Sequence, residues 1–204
     1  MFTIVSWYTM NTEYSNIIAS YLMPSLNDFY KIPAKIYPIE SIGTWKKNTN
    51  LKPTIIEKAL EEINTDIVIL DADCRINEYP KLFDEIPEQY DMAVFYLPWG
   101  EWYGHSEGKE ELCSGTLFFR NRLICKQLVW AWKIEAQSIN NHLNDQQVLQ
   151  NLLNKEFPDI KIYKLPYEYC WINSMPNGNK PFVKKPNNVV IEHFQVSRDL
   201  RNKI

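Results

Sequence analysis

Asp66-Ile67-Val68-Ile69-Leu70-Asp71-Ala72-Asp73 is the stretch whose reading decides the fold of this 204-residue chain. Four apolar residues in a row, bounded on both sides by Asp, have the length and character of a buried strand. Where the strand ends, two carboxylates one residue apart leave it together. That placement suits one divalent cation shared with a diphosphate, and hard oxygen donors favour Mg²⁺ or Mn²⁺ over a softer metal. Composition alone predicts about 0.4 Asp-x-Asp pairs in a chain with nine Asp, so the pair carries weight through its strand context. The competing reading is a solvated turn whose Asp caps a helix.

Strand and helix patterns alternate on both sides of this segment, which predicts an α/β sandwich with a largely parallel sheet. Residues 2–8 read as the first strand. Thr12 caps a helix whose inner face uses Tyr14, Ile17, Ile18, Tyr21 and Leu22, continued in frayed form over 24–28. A weaker strand follows at 34–39. Thr54 and Glu57 have the spacing of a capping box, which predicts a helix over 54–63 that feeds the 66–70 strand. Residues 78–85 read as helix and 92–97 as another buried strand. The aromatic, glycine-bearing 98–108 segment reads as a loop. A strand at 116–119 precedes a long helix through Leu123, Leu128, Val129, Trp132 and Ala136. Asn144 with Gln147 caps the helix 145–155, a proline-rich extended stretch covers 158–186, and 189–194 is the last strand.

With 45% hydrophobic and 14% aromatic residues, the chain can bury a sizeable core, and residues 1–204 are expected to form one domain. No apolar run approaches the roughly twenty residues that span a bilayer, so no integral membrane segment is expected. The N-terminus lacks the basic start and cleavage site of a signal peptide. The expected location is cytoplasmic, with peripheral attachment to a membrane left open. Cys74, Cys113, Cys125 and Cys170 are irregularly spaced and indicate neither a zinc site nor a redox motif; Cys74 is read as packing. A net charge of −3 argues against a nucleic-acid partner, although residues 180–204 carry a local charge of +4.

The polar residues that follow these strands are Thr9, Asp71 with Asp73, and His193. In an open α/β sheet, ligands bind beyond the carboxyl ends of the strands, where all of these would emerge. Together with Phe2-Thr3-Ile4-Val5-Ser6-Trp7-Tyr8-Thr9, Cys113-Ser114-Gly115-Thr116-Leu117-Phe118-Phe119-Arg120-Asn121 and Asp145-Gln146, in this order, the chain resembles the GT-A nucleotide-sugar glycosyltransferases. It looks nearest to the small members of families eight and seventy-seven. The resemblance implies a three-layer α/β GT-A sandwich with a mostly parallel mixed central sheet. It also implies a hexosyltransferase-like activity on a nucleoside diphosphate sugar, most simply UDP-linked, with a glycan, lipid or protein hydroxyl as acceptor.

Residue by residue, the resemblance places the nucleoside on Tyr8 and Thr9, with Lys52 reaching the nucleotide. Asp71 meets the ribose or the metal, and Asp71, Asp73 and His193 hold Mn²⁺ or Mg²⁺. Ser114, Gly115 and Thr116 line the donor and acceptor, and Asp145 with Gln146 lies near the transferred sugar. Ser197 and Arg198 are placed toward phosphate, but the terminal His-x-x-Gly-x-x-Lys-Pro pattern of family eight is absent. Trp99, Trp102 and Tyr103, in the expected loop, are the candidates for stacking on the acceptor. The family-eight likeness implies retention, with the leaving phosphate taking the acceptor's proton; inversion would need a base such as Glu101, Glu107 or Asp145.

Each of these residues also has a plain structural reading: Tyr8 as core, Lys52 as solvated, Gly115 as a turn glycine, Asp145 as a first-turn helix carboxylate. Three other classes compete. A haloacid dehalogenase-like phosphohydrolase would carry its Asp-x-Asp after the first strand, with Thr or Val where Arg75 stands. A nucleotidylyltransferase would carry a Gly-rich basic loop where Tyr8-Thr9-Met10-Asn11 stands. The third is a carbohydrate-binding module that kept the fold without the chemistry.

Overall fold

The alternation of side chains along each central strand supplies two apolar faces, and helices cover both. In a computed structural model describing residues 1–29, 32–104, 108–174 and 181–196, the elements follow one another as β1 (Phe2–Thr9), α1 (Glu13–Ser20), α2 (Leu22–Asp28), β2 (Ala34–Ile39), α3 (Trp45–Thr49), α4 (Lys52–Glu62), β3 (Asp66–Leu70), β4 (Cys74–Ile76), α5 (Leu82–Glu85), β5 (Met92–Pro98), α6 (Trp99–Tyr103), β6 (Glu110–Phe119), α7 (Leu123–Ala136), α8 (Asp145–Lys155), β7 (Ile162–Lys164), β8 (Trp171–Ile172) and β9 (Ile191–His193). Residues 180 and 197–204 of the basic C-terminal stretch, Ser197 and Arg198 among them, lie outside the described residues, as does Glu107. No described helix is long and apolar enough to cross a membrane.

Six strands form the central sheet in the order β2-β1-β3-β6-β5-β7. β1 runs parallel to both β2 and β3, and β5 runs parallel to β7, whereas β6 is antiparallel to β3 and β5. Ile67 and Ile69 of β3 face one core with Val5, Leu117 and Phe119, covered by α4, α7 and α8 through residues such as Ile56, Leu60, Leu128, Trp132 and Leu149. Val68 and Leu70 face the other core, with Ile4 and Phe118, under Ile18, Leu22, Phe83 and Trp102. The result is the expected three-layer sandwich around a mixed sheet.

Several boundaries depart from the sequence reading for local reasons. α4 starts at Lys52, with Pro53 in its first turn, because proline has its φ preset for a helix start and lacks only an N–H that would be unpaired there. The expected box at Thr54 and Glu57 does not form: Thr54 Oγ1 accepts from Gln137 Nε2, and Glu57 pairs with Lys133, so both tie α4 to α7. The helix expected over 78–85 is confined to Leu82–Glu85, since Pro80 drives the residue before it out of the helical region. The expected 98–108 loop contains α6, closed by Gly104 in the left-handed conformation at φ 73°. The Asn144–Gln147 capping box is present, with both of its reciprocal hydrogen bonds made.

The last strand is the largest departure. β9 does not join the central sheet; it lies between β4 and β8 in a separate three-stranded sheet. Its antiparallel register sets Cys74 opposite His193 and Arg75 opposite Glu192. The turn Asp71-Ala72-Asp73 therefore connects the large sheet to the small one.

Candidate active site

The carboxyl ends of β1 and β3 and the middle of β6 open into a cleft of about 810 Å³. That is the size range of sites for small organic ligands, about 300–1,000 Å³. Tyr8, Thr9, Lys52, Asp71, Asp73, Trp99, Ser114, Gly115, Asp145, Gln146 and His193 all line it. Trp102 does not. It is fully buried, with its ring 5.1 Å from Trp171 and 6.0 Å from Phe95, because the turn of α6 points it into the core while Trp99 borders the cleft. Its expected role in acceptor stacking is therefore withdrawn.

Asp71 extends the β3 ladder by one bond, its N–H donating to Gly115 O at 3.0 Å. The chain then turns, with Cys74 N–H bonded to Asp71 O, and enters β4. Asp73 is held from the other side: its Oδ2 accepts from Val196 N–H at 2.9 Å and its carbonyl from Phe194 N–H at 3.1 Å. Thus the residues after β9 wrap around Asp73. Burial, followed by the negative charge of Asp71, raises the Asp73 carboxyl above its ordinary value.

His193 is almost completely buried, with Nε2 2.8 Å from Thr116 Oγ1 and Nδ1 3.2 Å from Cys74 Sγ. One donor atom each from Asp73, Cys74 and His193 lies within 4.8 Å of the others. A shared ion with bonds of about 2.0 to 2.6 Å needs just such proximity, and separations beyond about 8 Å would have excluded it. Asp71 lies beside this group: a Cβ on Gly115 would lie 2.5 Å from His193 Cε1 and 3.1 Å from Asp71 Oδ2. Gly115 is needed for this close approach and not for a turn, contrary to the plain reading of that glycine. The Asp73 carboxylate and the His193 imidazole are donors that fit Mn²⁺, with the Asp71 carboxylate close to His193; the Cys74 sulfur in the same group is a softer donor. Cys74 is more than packing, since its sulfur touches the imidazole; burial pushes its thiol up to about 12.

Lys52 is not solvated. Its Nζ is 3.0 Å from Asp71 Oδ1, 3.1 Å from Asp145 Oδ2, and 3.0 Å from both Ser114 O and Ser114 Oγ. Burial alone would lower this ammonium's pKa; the charges of Asp145 and Asp71 outweigh burial and hold it above its ordinary value. Ser114 Oγ also donates to Asp145 Oδ2 at 3.0 Å, and Trp132 Nε1–H donates to Asp145 O at 2.8 Å. A buried network thus links the end of β3 to the start of α8, and the Asp145 carboxylate is part of it.

Tyr8, Thr9, Tyr14 and Trp45 also line the cleft, and the Trp45 indole N–H donates to Tyr14 Oη at 2.9 Å. Sequence reasoning had not selected Trp45. The signal was a glycine with positive φ at Gly43 two residues ahead of it, a turn that delivers an aromatic ring to the cleft. Glu111 and Cys170 were also missed, because Glu111 lies between the expected 98–108 loop and the 116–119 strand and Cys170 within the expected extended stretch, where no pattern marks a site; Thr116, read with Ser114 and Gly115 as lining the donor and acceptor, bonds His193 Nε2.

This geometry, an α/β sandwich with paired carboxylates and a late histidine gathered at the strand ends, defines a nucleotide-sugar transferase of GT-A fold. Residues 43–204 match the model of the nucleotide-diphospho-sugar transferase family, and the chain belongs to that family of glycosyltransferases. Solved structures agree on the fold. A glycosyltransferase involved in glycosylating the major capsid of the virus PBCV-1 is 16% identical, with a TM-score of 0.65 over 99% of this chain and 97% of its own. Mouse xyloside xylosyltransferase 1 is 10% identical, with a TM-score of 0.56 over 97% and 98%. The galactosyltransferase LgtC, solved with donor and acceptor sugar analogues, is 10% identical, with a TM-score of 0.54 over 96% and 87%. No curated protein matches the chain by sequence.

Proposed function

We propose that residues 1–204 act as one GT-A domain that transfers a glycosyl unit from a uridine diphosphate sugar to a hydroxyl acceptor, with Mn²⁺ or Mg²⁺ and with retention of configuration. The observation that carries this reading is that Asp73 and His193 come within reach of one ion while His193 and Asp71 close on Gly115, in a cleft that Tyr8, Tyr14 and Trp45 also line. A divalent cation bound there supplies charge stabilisation to the departing diphosphate. Asp71 and Asp73 hold that cation, and Tyr8, Tyr14 and Trp45 supply ring faces for the base.

Retention is favoured by the state of the carboxylates. Asp145 Oδ2 takes both Lys52 and the Ser114 hydroxyl, and both oxygens of Glu111 already accept hydrogen bonds. A carboxylate so held is a poor base for the acceptor hydroxyl. In the retaining route the leaving phosphate takes that proton on the same face, while Lys52 and Ser114 keep Asp145 in place beside the transferred sugar; Glu101, the other described carboxylate considered as a base, is exposed and does not line the cleft.

A donor screen with Mn²⁺, reading released nucleoside diphosphate, tests the reaction, and product configuration by NMR tests the stereochemistry. Asp73→Asn should lose metal-dependent turnover and stay folded. Full activity of that variant would overturn the site assignment. Sugar binding without turnover for any donor at saturating metal would make the chain a binding module.

A further inference from the structure

One carboxylate in the cleft wall has no part in the metal end or in the lysine network. Glu111 stands near the start of β6, three residues before Ser114. Its Oε1 accepts from Gln146 Nε2 at 2.7 Å and its Oε2 from Trp99 Nε1 at 3.0 Å. Gln146 Oε1 accepts in turn from the Ser114 N–H at 3.1 Å. These bonds admit only one orientation of the amide. Turned over, Gln146 would face its NH₂ to the Ser114 N–H and its oxygen to the carboxylate, two like pairs with no hydrogen between acceptors or a surplus between donors.

Trp99 is fixed from other directions as well. Lys109 Nζ lies 3.6 Å over its ring centre, and Tyr103 meets it edge-on with centroids 5.2 Å apart. The indole nevertheless borders the cleft, next to the lone pairs of Glu111 and the second N–H of Gln146. An apolar ring beside one strong acceptor and one donor matches a molecule with a C–H face and a rim of hydroxyls. An alkyl chain would cover the ring but take no hydrogen bond from the remaining lone pairs of Glu111 or the second N–H of Gln146, which hydroxyls can engage.

We propose that Glu111 is a positioning residue that sets the Gln146 amide and the Trp99 indole with one carboxylate, and that the acceptor recognised by this wall is a pyranoside. The acceptor half of this inference rests on the transferase reading of the cleft. The positioning half rests on the hydrogen bonds alone.

Glu111→Gln is the informative variant because it keeps volume and removes one acceptor. If the new amide's oxygen takes the indole N–H, its NH₂ faces the NH₂ of Gln146; if it turns, the indole loses its acceptor. Adding Gln146→Glu restores every bond, since the new carboxylate at 146 accepts from both the Ser114 N–H and the new amide at 111. Glu111→Gln should therefore shift the Trp99 component of the emission, defined by subtraction against Trp99→Phe, and the double variant should return it. The KM for nitrophenyl hexopyranosides should rise about tenfold or more in Glu111→Gln. UDP affinity with Mn²⁺ should change less than about twofold, and the thermal midpoint should stay near wild type. A residue with a merely structural role would lower the midpoint without this selectivity. Wild-type emission in Glu111→Gln would overturn the positioning role, and transfer only to peptide or lipid alcohols would overturn the pyranoside. Absence of turnover in the wild type with every donor would overturn the transferase reading, while the emission measurements would still decide the role of Glu111.

Discussion

Gly115→Ala puts the geometry of the metal end to its most direct test. The added Cβ would lie 2.5 Å from His193 Cε1 and 2.8 Å from Nδ1, where ordinary contact begins at 3.4 Å, so the imidazole must give way by about 0.9 Å. His193 has nowhere easy to go, because Thr116 Oγ1 holds Nε2 and β9 is paired on both sides. Overpacking of this kind costs about 1–3 kcal/mol. For a chain of this length that is about 2–12 °C in thermal midpoint, measured by calorimetry in the presence of chelator. Metal–ligand distances tolerate only about 0.2 Å, so Mn²⁺ affinity by titration calorimetry should fall at least about tenfold. A variant with the wild-type midpoint and the wild-type Mn²⁺ affinity would refute the argument that Gly115 is required for the approach of His193 to Asp71.

Lys52→Met should destabilise the protein by about 3–5 kcal/mol in urea unfolding, nearer the lower figure because the Asp71 side chain is a third exposed and regains water. The raised Asp73 carboxyl predicts a pH slope: the native state holds this proton more tightly than the unfolded chain, so its contribution is present below the ordinary carboxylate value and is lost as pH climbs through the raised one. In chelator the midpoint should therefore drop across that window, and Asp73→Asn should flatten the drop. Added Mn²⁺ should reverse the slope, since the ion needs the carboxylate ionised. Trp102→Ala should cost about 3–5 kcal/mol as a buried aromatic truncation. Trp99→Ala should change the midpoint far less and act on the acceptor KM instead, which steady-state kinetics beside a melting curve will separate.

Elements with strong local signals were legible in the chain. The strand at 66–70 and the helix 145–155 coincide with β3 and α8, because one has an uninterrupted apolar run and the other a complete cap; the weaker strand at 34–39 coincides with β2 despite Pro38 within it. The capping box at Thr54 was misread because a nearby proline outcompetes it, and its side chains found partners on α7 that no local pattern contains. Trp102 failed for the opposite reason. Its neighbours Trp99 and Tyr103 are equally aromatic, and only the turn of α6 decides which of the three enters the core. Lys52 looks solvated in sequence because its three carboxylate and serine partners come from three other elements.

The sequence by itself determined the alternating architecture and the delivery of Asp71 and Asp73 to the end of a central strand, since hydrophobic period and strand polarity are local properties. What the two carboxylates work with was decided by tertiary structure. His193 comes to them because β9 pairs with β4 outside the main sheet, and the absence of a side chain at Gly115 lets the imidazole approach Asp71. Lys52 joins Asp71 to Asp145, and Glu111 joins Gln146 to Trp99, across gaps in the chain that no spacing rule spans. Pairing register and close packing act between residues far apart in sequence, and only the folded chain brings those residues within hydrogen-bond reach.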